Sequence, residues 1–212
     1  MFFIPLVLAA LLAYLLGSIP AGFIAGQLHG VDLRKVGSGN IGATNALRVL
    51  GKKTGYAVFA FDFLKGFVAV KLAMGIGTVM AFGHETLFGV VGAMAAVAGH
   101  LFPVWLRFQG GKGIATSGAV MLALFPWPVF AVGLFLWVVL FFTTRYVSVA
   151  SLAATVSLPA TSSVLAWFGH CDWLLVVAGF VMAGLAVWKH LPNIERLMAG
   201  TEKKFERKRE AA

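Results

Sequence analysis

Apolar residues gather into seven runs along the chain, near 3–24, 56–82, 86–106, 113–126, 128–142, 147–167 and 172–188, separated by Gly, Pro, amide and basic residues. Runs with so little polar interruption predict helices surrounded by lipid or by one another, not the one-sided stripe of a soluble surface helix. A bilayer core about 30 Å thick takes roughly 20 residues at 1.5 Å per residue, so seven crossings nearly exhaust the chain. The fourth and fifth runs are short and parted only by Pro126-Trp127-Pro128, which leaves one long kinked helix as the competing reading.

Charge placement decides between them. With seven crossings and the amino terminus outside, one side receives Arg34, Lys35, Arg48, Lys52, Lys53, Arg107, Lys112, Arg145 and the seven basic residues from Lys189 onward, 15 of the 17 Lys and Arg. The opposite connections carry none, and Lys65 and Lys71 lie within the second run. Merging runs four and five would divide the loop charge 8 against 7 and erase this asymmetry. The predicted fold is therefore all-α and integral to the membrane, with seven transmembrane helices, the amino terminus outside and the carboxyl terminus cytoplasmic. It forms one domain over residues 1–212, with a basic cytoplasmic tail at about 189–212. Trp105, Trp127, Trp167, Trp173 and Trp188 fall near run ends, as interfacial anchors do.

Composition agrees: 60% hydrophobic, 12% charged and a mean hydropathy of +0.90 exclude a water-soluble monomer. The first run lacks the basic n-region of a cleaved signal and is expected to be retained. The single Cys171 excludes an internal disulfide and a multi-cysteine metal site. A net charge of +9 does not imply nucleic acid here, because basic residues beside cytoplasmic span ends are an orientation signal. The tail is expected to lie on anionic lipid, at about 1 kcal/mol per basic residue.

Three polar segments exceed what an apolar bundle needs. Residues 34–51 read RKVGSGNIGATNALRVLG: Ser38, Asn40, Thr44 and Asn45 offer hydroxyls and amides, Gly37, Gly39 and Gly42 let backbone N–H groups turn outward, and Arg48 adds a planar cation. Together they suit a phosphate ester; the plainer reading is an interfacial turn before a capped helix. GSGNIG also matches the dinucleotide fingerprint in form, with Asp62 twenty residues past Gly42, but no strand precedes it and Asp62 falls in an apolar run. In AGHLFPVWLRFQGGKGIATSG, Gly110, Gly111 and Gly113 bracket Lys112 ahead of a helix start carrying Thr116 and Ser117, an arrangement suited to an anion. Leu106 and Gly113 occupy positions where a Walker loop needs Gly and Ser or Thr. The third, KHLPNIERLMAGTEKKF, concentrates His190, Asn193, Arg196 and Glu202 on the same side as the other two. Within the second run Asp62 and Lys65 share a helix face as a charge pair, able in a bundle interior to orient Arg48 or a substrate, and Lys71 is expected to snorkel. His100 reads as a packing histidine, and no pair of histidines has metal-ligand spacing, so neither metal nor cofactor is expected.

These segments resemble the PlsY family of bacterial acyl-phosphate:glycerol-3-phosphate acyltransferases. The likeness runs through YLLGSIPAGFIAG, GSGNIGATNALRVLG, DFLKG, GHLFPVWLRFQGGKGIATS, TTRYVSVASL and KHLPNIERLMAGTE, nearly the whole chain. It implies a seven-helix enzyme of the bacterial inner membrane, its active site on the cytoplasmic side. The enzyme would move a fatty acyl group from acyl phosphate to the 1-hydroxyl of sn-glycerol 3-phosphate, giving lysophosphatidic acid and phosphate in the first acylation of phospholipid synthesis. The resemblance makes Ser38 and Arg48 essential, gives Lys112 and its flanking glycines the acceptor, and completes the site with His190, Asn193 and Glu202. Acyl phosphate is already activated, so position and charge suffice without a covalent intermediate. Arg48 with Ser38, Gly39 and Asn40 would hold the donor phosphate, and Lys112 with Gly110, Gly111, Gly113 and Thr116 the acceptor. Asn45 or Asn193 would steady the oxyanion, and either a substrate phosphate or His190 would take the hydroxyl proton. A transporter for an organic phosphate is the alternative, disfavoured because the polar groups gather at one face and not at a midplane site.

Overall fold

The computed structural model describes residues 3–80 and 83–205. All regular structure among them is helical, in ten α-helices: α1 (Phe3–Ser18), α2 (Ala21–Leu28), α3 (Ala43–Leu50), α4 (Lys52–Met80), α5 (Glu85–Leu101), α6 (Ile114–Leu124), α7 (Trp127–Thr144), α8 (Val147–Trp167), α9 (Trp173–Lys189) and α10 (Leu191–Met198). A short 3-10 turn, Val104–Leu106, follows α5. The end of the second apolar run at 81–82 and the tail residues Arg207, Lys208 and Arg209 lie outside the described residues.

The expected runs divide unevenly. Phe3–Leu28, Glu85–Leu106, Trp127–Thr144 and Val147–Trp167 are long and apolar enough to cross a membrane, and α9 meets the test only when α10, bent 55° away from it, is counted with it. Helix α4 is 29 residues, about 44 Å at 1.5 Å per residue, but Asp62, Lys65 and Lys71 lower its hydropathy. Helix α6 is the exception: its 11 residues reach about 16 Å, roughly half a bilayer core. Runs four and five are separate helices, broken at Phe125 and Pro126.

Helices α1, α4, α5 and α6 pack as one group, with α7, α8 and α9 as a second group joined to it through α6 and α5. Small residues permit the closest approach: a Cβ on Gly17 would lie 2.2 Å from the Ala96 carbonyl oxygen, and one on Gly99 would lie 2.3 Å from that of Tyr14. Here α1 and α5 touch backbone to backbone, as helices without a hydrophobic force between them tend to do. Large apolar side chains point outward instead; Leu11, Leu12, Phe135, Phe142, Val177 and Phe180 are all exposed, a surface suited to lipid.

Three lysines close three proline-associated breaks. Proline leaves carbonyls unpaired, and within a membrane these need partners from other helices. Ahead of Pro20 the Ile19 carbonyl accepts from Lys65 Nζ at 2.7 Å, and near Pro126 the Ala123 carbonyl accepts from Lys71 Nζ at 2.8 Å. Before Pro103 the Leu101 carbonyl accepts from Lys189 Nζ at 3.2 Å, while the Phe102 carbonyl accepts from Tyr14 at 2.8 Å. Lys71 therefore reaches to the end of α6 in place of the expected snorkelling. Lys65 also pairs with Asp62 at 2.7 Å, both side chains buried. Lys65→Met strands a buried carboxylate and is expected to cost about 3–5 kcal/mol in a thermal or denaturant unfolding measurement, with Asp62→Asn restoring part of the loss.

Candidate active site

One cavity of about 690 Å³ is shared by both helix groups. Ser38, Asn40, Thr44 and Arg48 come to it from the first polar segment, Lys112 and Gly113 from the second, and His190, Asn193, Arg196 and Glu202 from the third. Segments more than seventy residues apart, such as those of Lys112 and His190, thus share one chamber. Its other end is apolar. Phe63, Met121, Phe130, Leu134, Leu158 and Met182 line an arm between the helices, with Trp137 donating to the Ser151 hydroxyl at 3.3 Å on its wall.

The first segment is built around Asn45. Buried in α3, its amide nitrogen contacts the carbonyls of Leu33, Val36 and Asn40 at 2.8–3.1 Å, and its oxygen accepts from the Ser38 N–H at 2.8 Å. Gly37, with φ +67°, passes so close that a Cβ would meet the Asn45 oxygen at 2.1 Å. Asn45 thereby shapes the loop, and its amide is not free to steady an oxyanion. Gly39, with φ +70°, belongs to the turn and not to the cavity lining. Arg48 lines the cavity and its Nη2 donates to the Lys203 carbonyl at 3.3 Å; Asp62 and Lys65 pair with each other and do not orient it. Burial lowers the Arg48 pKa, partly countered by Glu202, with Arg196 lowering it further.

The second segment departs most from expectation. The N–H groups of Gly110 and Gly111 donate to the carbonyls of Leu101 and His100, both at 3.1 Å, so they seat the loop on the end of α5 and do not face an anion. Thr116 is fully buried and donates from its hydroxyl to the Asp62 carbonyl at 3.0 Å, a contact between α6 and α4 outside the cavity. Lys112 and Gly113, in the left-handed region at φ +78°, remain as the loop's contribution to the wall. Burial, the largest influence, pulls the Lys112 pKa down to about 8, against the attraction of Glu202 and with Arg196 and Arg48 adding repulsion.

The third segment forms a chain of contacts. Lys112 Nζ donates to Asn193 Oδ1, and Asn193 Nδ2 donates to Glu202 Oε1 at 2.6 Å. Glu202 also accepts from Ser148 Oγ at 2.8 Å and from Arg196 Nε at 2.7 Å. Both ends of the Asn193 amide are thus engaged, which removes the second expected oxyanion donor as well. Burial raises the Glu202 pKa, but the bonds from Asn193, Arg196 and Ser148 outweigh it and keep the carboxylate below its ordinary range. His190 Nδ1 lies 2.8 Å from the Ala186 carbonyl, so that nitrogen carries the proton and Nε2 keeps its lone pair. Burial and the Lys112 charge drive the His190 pKa down to about 4.

Three contributors, Ser148, His100 and Trp137, escaped the sequence reading. Ser148 sits just past Arg145 at the start of α8, and that adjacency to a basic span end was the available signal. His100 reaches the cavity wall beside Asp62 although it lies in an apolar run, and Trp137 is the tryptophan far from a run end.

Residues 7–200 match the family described as glycerol-3-phosphate acyltransferase. Proteins of that name from Desulforamulus reducens and Rhodopseudomonas palustris are 44% and 45% identical to the chain, covering 93% and 95% of it and 94% and 96% of their own lengths. The Aquifex aeolicus protein of the same name is 42% identical over 91% of this chain and 95% of its own. A crystal structure of PlsY, an integral membrane glycerol 3-phosphate acyltransferase in its glycerol 3-phosphate form, superposes with a TM-score of 0.84 at 40% identity, covering 95% of this chain and 96% of that one. Its lysophosphatidic acid form gives 0.81 at 38% identity, with 95% of each chain covered. With sequence, fold and coverage in agreement over nearly its whole length, the chain belongs to the glycerol-3-phosphate acyltransferase family.

Proposed function

We propose that this membrane enzyme, which acylates glycerol 3-phosphate in phospholipid synthesis, takes the acyl group from acyl phosphate in a single direct transfer. The observation that carries the reading is the shape of the cavity, cationic and amide-lined at one end and apolar along its arm. That profile fits a donor with an anionic head and a hydrocarbon tail beside a small polar acceptor.

Arg48, with Ser38 and Asn40 beside it, holds the donor phosphate at the mouth; Lys112 and Gly113 hold the acceptor phosphate, with Asn193 and Glu202 fixing the ammonium. The 1-hydroxyl oxygen attacks the acyl carbon, forming the ester C–O bond as the bond from that carbon to the phosphate oxygen breaks. The hydroxyl proton leaves with the departing phosphate. His190, with a pKa near 4, is too weak a base near neutrality for that proton, and its Nε2 lone pair instead accepts a hydrogen bond from the hydroxyl and aligns it. Developing negative charge is met by Arg48 and Lys112.

The chain crosses the bacterial inner membrane seven times, amino terminus outside, with the mouth on the cytoplasmic side. Support comes from the basic residues, since Arg48, Lys112, Arg145, Arg196 and Lys203 all border one end of the bundle or its loops. The short α6 counts as one crossing, lodged among α4, α5 and α7.

Purified enzyme in detergent, given palmitoyl phosphate, palmitoyl-CoA or palmitoyl acyl carrier protein with labelled glycerol 3-phosphate, tests the donor. Lysophosphatidic acid is expected from the acyl phosphate; faster formation from either thioester would overturn the reading. His190→Gln is expected to lower kcat by about tenfold and to leave the shape of the pH–rate profile between about 6 and 8 unchanged, because the neutral ring does not titrate there.

A further inference from the structure

We propose that His100, backed by Asp62, is a positioning residue that sets where Lys112 meets the phosphate of glycerol 3-phosphate. The proposal rests on the assignment of Lys112 to the acceptor and adds residues inside the bundle that act through its loop.

His100 stands in the last turn of α5, buried, between Asp62 of α4 and the loop that carries Lys112. Its Nδ1 lies 3.5 Å from Asp62 Oδ1. Its opposite edge lies against Gly111, where a Cβ would fall 2.3 Å from Nε2 and 3.2 Å from Cδ2 and Cε1. The ring is therefore a wall that the loop touches directly, one residue before Lys112. The His100 carbonyl adds a backbone bond from the Gly111 N–H at 3.1 Å.

Asp62 holds the far flank of the same loop. Its carbonyl accepts from the Thr116 hydroxyl at 3.0 Å, in the first turn of α6. Lys112 is thus suspended between two attachments, Gly111 on the His100 ring and Thr116 on the Asp62 carbonyl, and both end on one turn of α4. That turn is itself fixed, because Lys65 pairs with Asp62 at 2.7 Å and donates to the Ile19 carbonyl at 2.7 Å. A side chain that must meet a phosphate at hydrogen-bonding distance is sensitive to ångström displacements of its backbone. Packing alone would leave this arrangement unexplained: a charged and a titratable side chain are buried together, at a desolvation cost, on the wall of the substrate cavity.

The test combines His100→Ala, Gly111→Ala, the double variant and Lys112→Ala in detergent-purified enzyme. Binding of glycerol 3-phosphate is read by calorimetry, and kcat and both KM values by lysophosphatidic acid formation. His100→Ala and Gly111→Ala are each expected to weaken glycerol 3-phosphate binding by about tenfold or more, with the KM for acyl phosphate changed less than about threefold. Added to His100→Ala, Gly111→Ala is expected to cost less than about threefold further, since the ring it would strike is gone. His100→Gln, able to donate to Asp62, is expected to recover part of the affinity. Should His100→Ala fail to accumulate, Gly111→Ala reads the same contact from the loop side. A lowered thermal midpoint with both KM values and glycerol 3-phosphate affinity unchanged would overturn the proposal. If Lys112→Ala itself leaves glycerol 3-phosphate affinity intact, the assignment of Lys112 fails; if it abolishes binding while His100 and Gly111 are silent, only the positioning role fails.

Discussion

Lys112→Ala is expected to reduce acyl transfer by at least about a thousandfold while the protein remains folded, as judged by its thermal midpoint and elution in detergent. The ammonium is the cation that the second polar segment brings into the cavity, and it is aimed by Asn193. The glycine N–H groups beside it cannot replace it, because those of Gly110 and Gly111 are already bonded to α5. Its charge state makes a second measurement available. With burial drawing its pKa down to about 8, the free enzyme loses the proton as pH rises through that value, and affinity for a phosphate dianion falls with it. The profile of kcat/KM against pH should therefore bend downward near 8, and Lys112→Arg, whose guanidinium stays charged, should lose that bend whatever its absolute rate. A flat profile from pH 7 to 10 in the unmodified enzyme would remove the ammonium from acceptor binding.

Glu202→Gln is the other large effect expected, a fall in kcat/KM of about a hundredfold. The carboxylate accepts from Asn193, Arg196 and Ser148, three donors on two helices. A glutamine offers one acceptor oxygen, and its NH2 group confronts N–H donors where the second oxygen stood. Hydrogen bonds to a charged group are worth about 1.5–3 kcal/mol, so losing one and straining another accounts for the factor expected. The damage passes through Asn193 to Lys112, which predicts that acceptor affinity falls more than donor affinity. Glu202→Asp, retaining charge on a shorter stem, should fall between the two. Equal losses of both substrates' affinities would mean that Glu202 secures the fold and not the acceptor side.

The sequence was informative about which segments matter and much less so about which atoms. Three signatures separated by long apolar runs do meet in one cavity, as the gathering of basic residues into those connections predicts. The roles of individual amides were not legible. Asn45 and Asn193 look equally available in the sequence, yet one is spent on three loop carbonyls and the other bridges Lys112 to Glu202. A glycine-rich loop likewise advertises free N–H groups, but whether they are free depends on where the chain folds back, and here Gly110 and Gly111 return onto the end of α5. The run that holds α6 was already short in the sequence, but its apolar residues extend to Pro126 and do not show that the helix ends after 11 residues, at Leu124. His100 was read as packing because its partner Asp62 lies on another helix, 38 positions earlier.

The lysine contacts at the helix breaks carry a consequence for biosynthesis. A nascent chain emerges amino end first, so each severed turn must wait for its partner to be translated. The carbonyl of Ile19, first met by the Ala21 N–H, gains Lys65 46 residues on, and that of Leu101, first met by the Gly110 N–H, gains Lys189 88 residues on, when α9 has been made. Leu101 also receives Gly110, so the carbonyl on which the acceptor loop rests gains its second donor only once α9 is in place. A chain stalled before α9 would therefore hold the earlier helices and the acceptor loop's own bonds to α5, and lack only the support that Lys189 gives to Leu101.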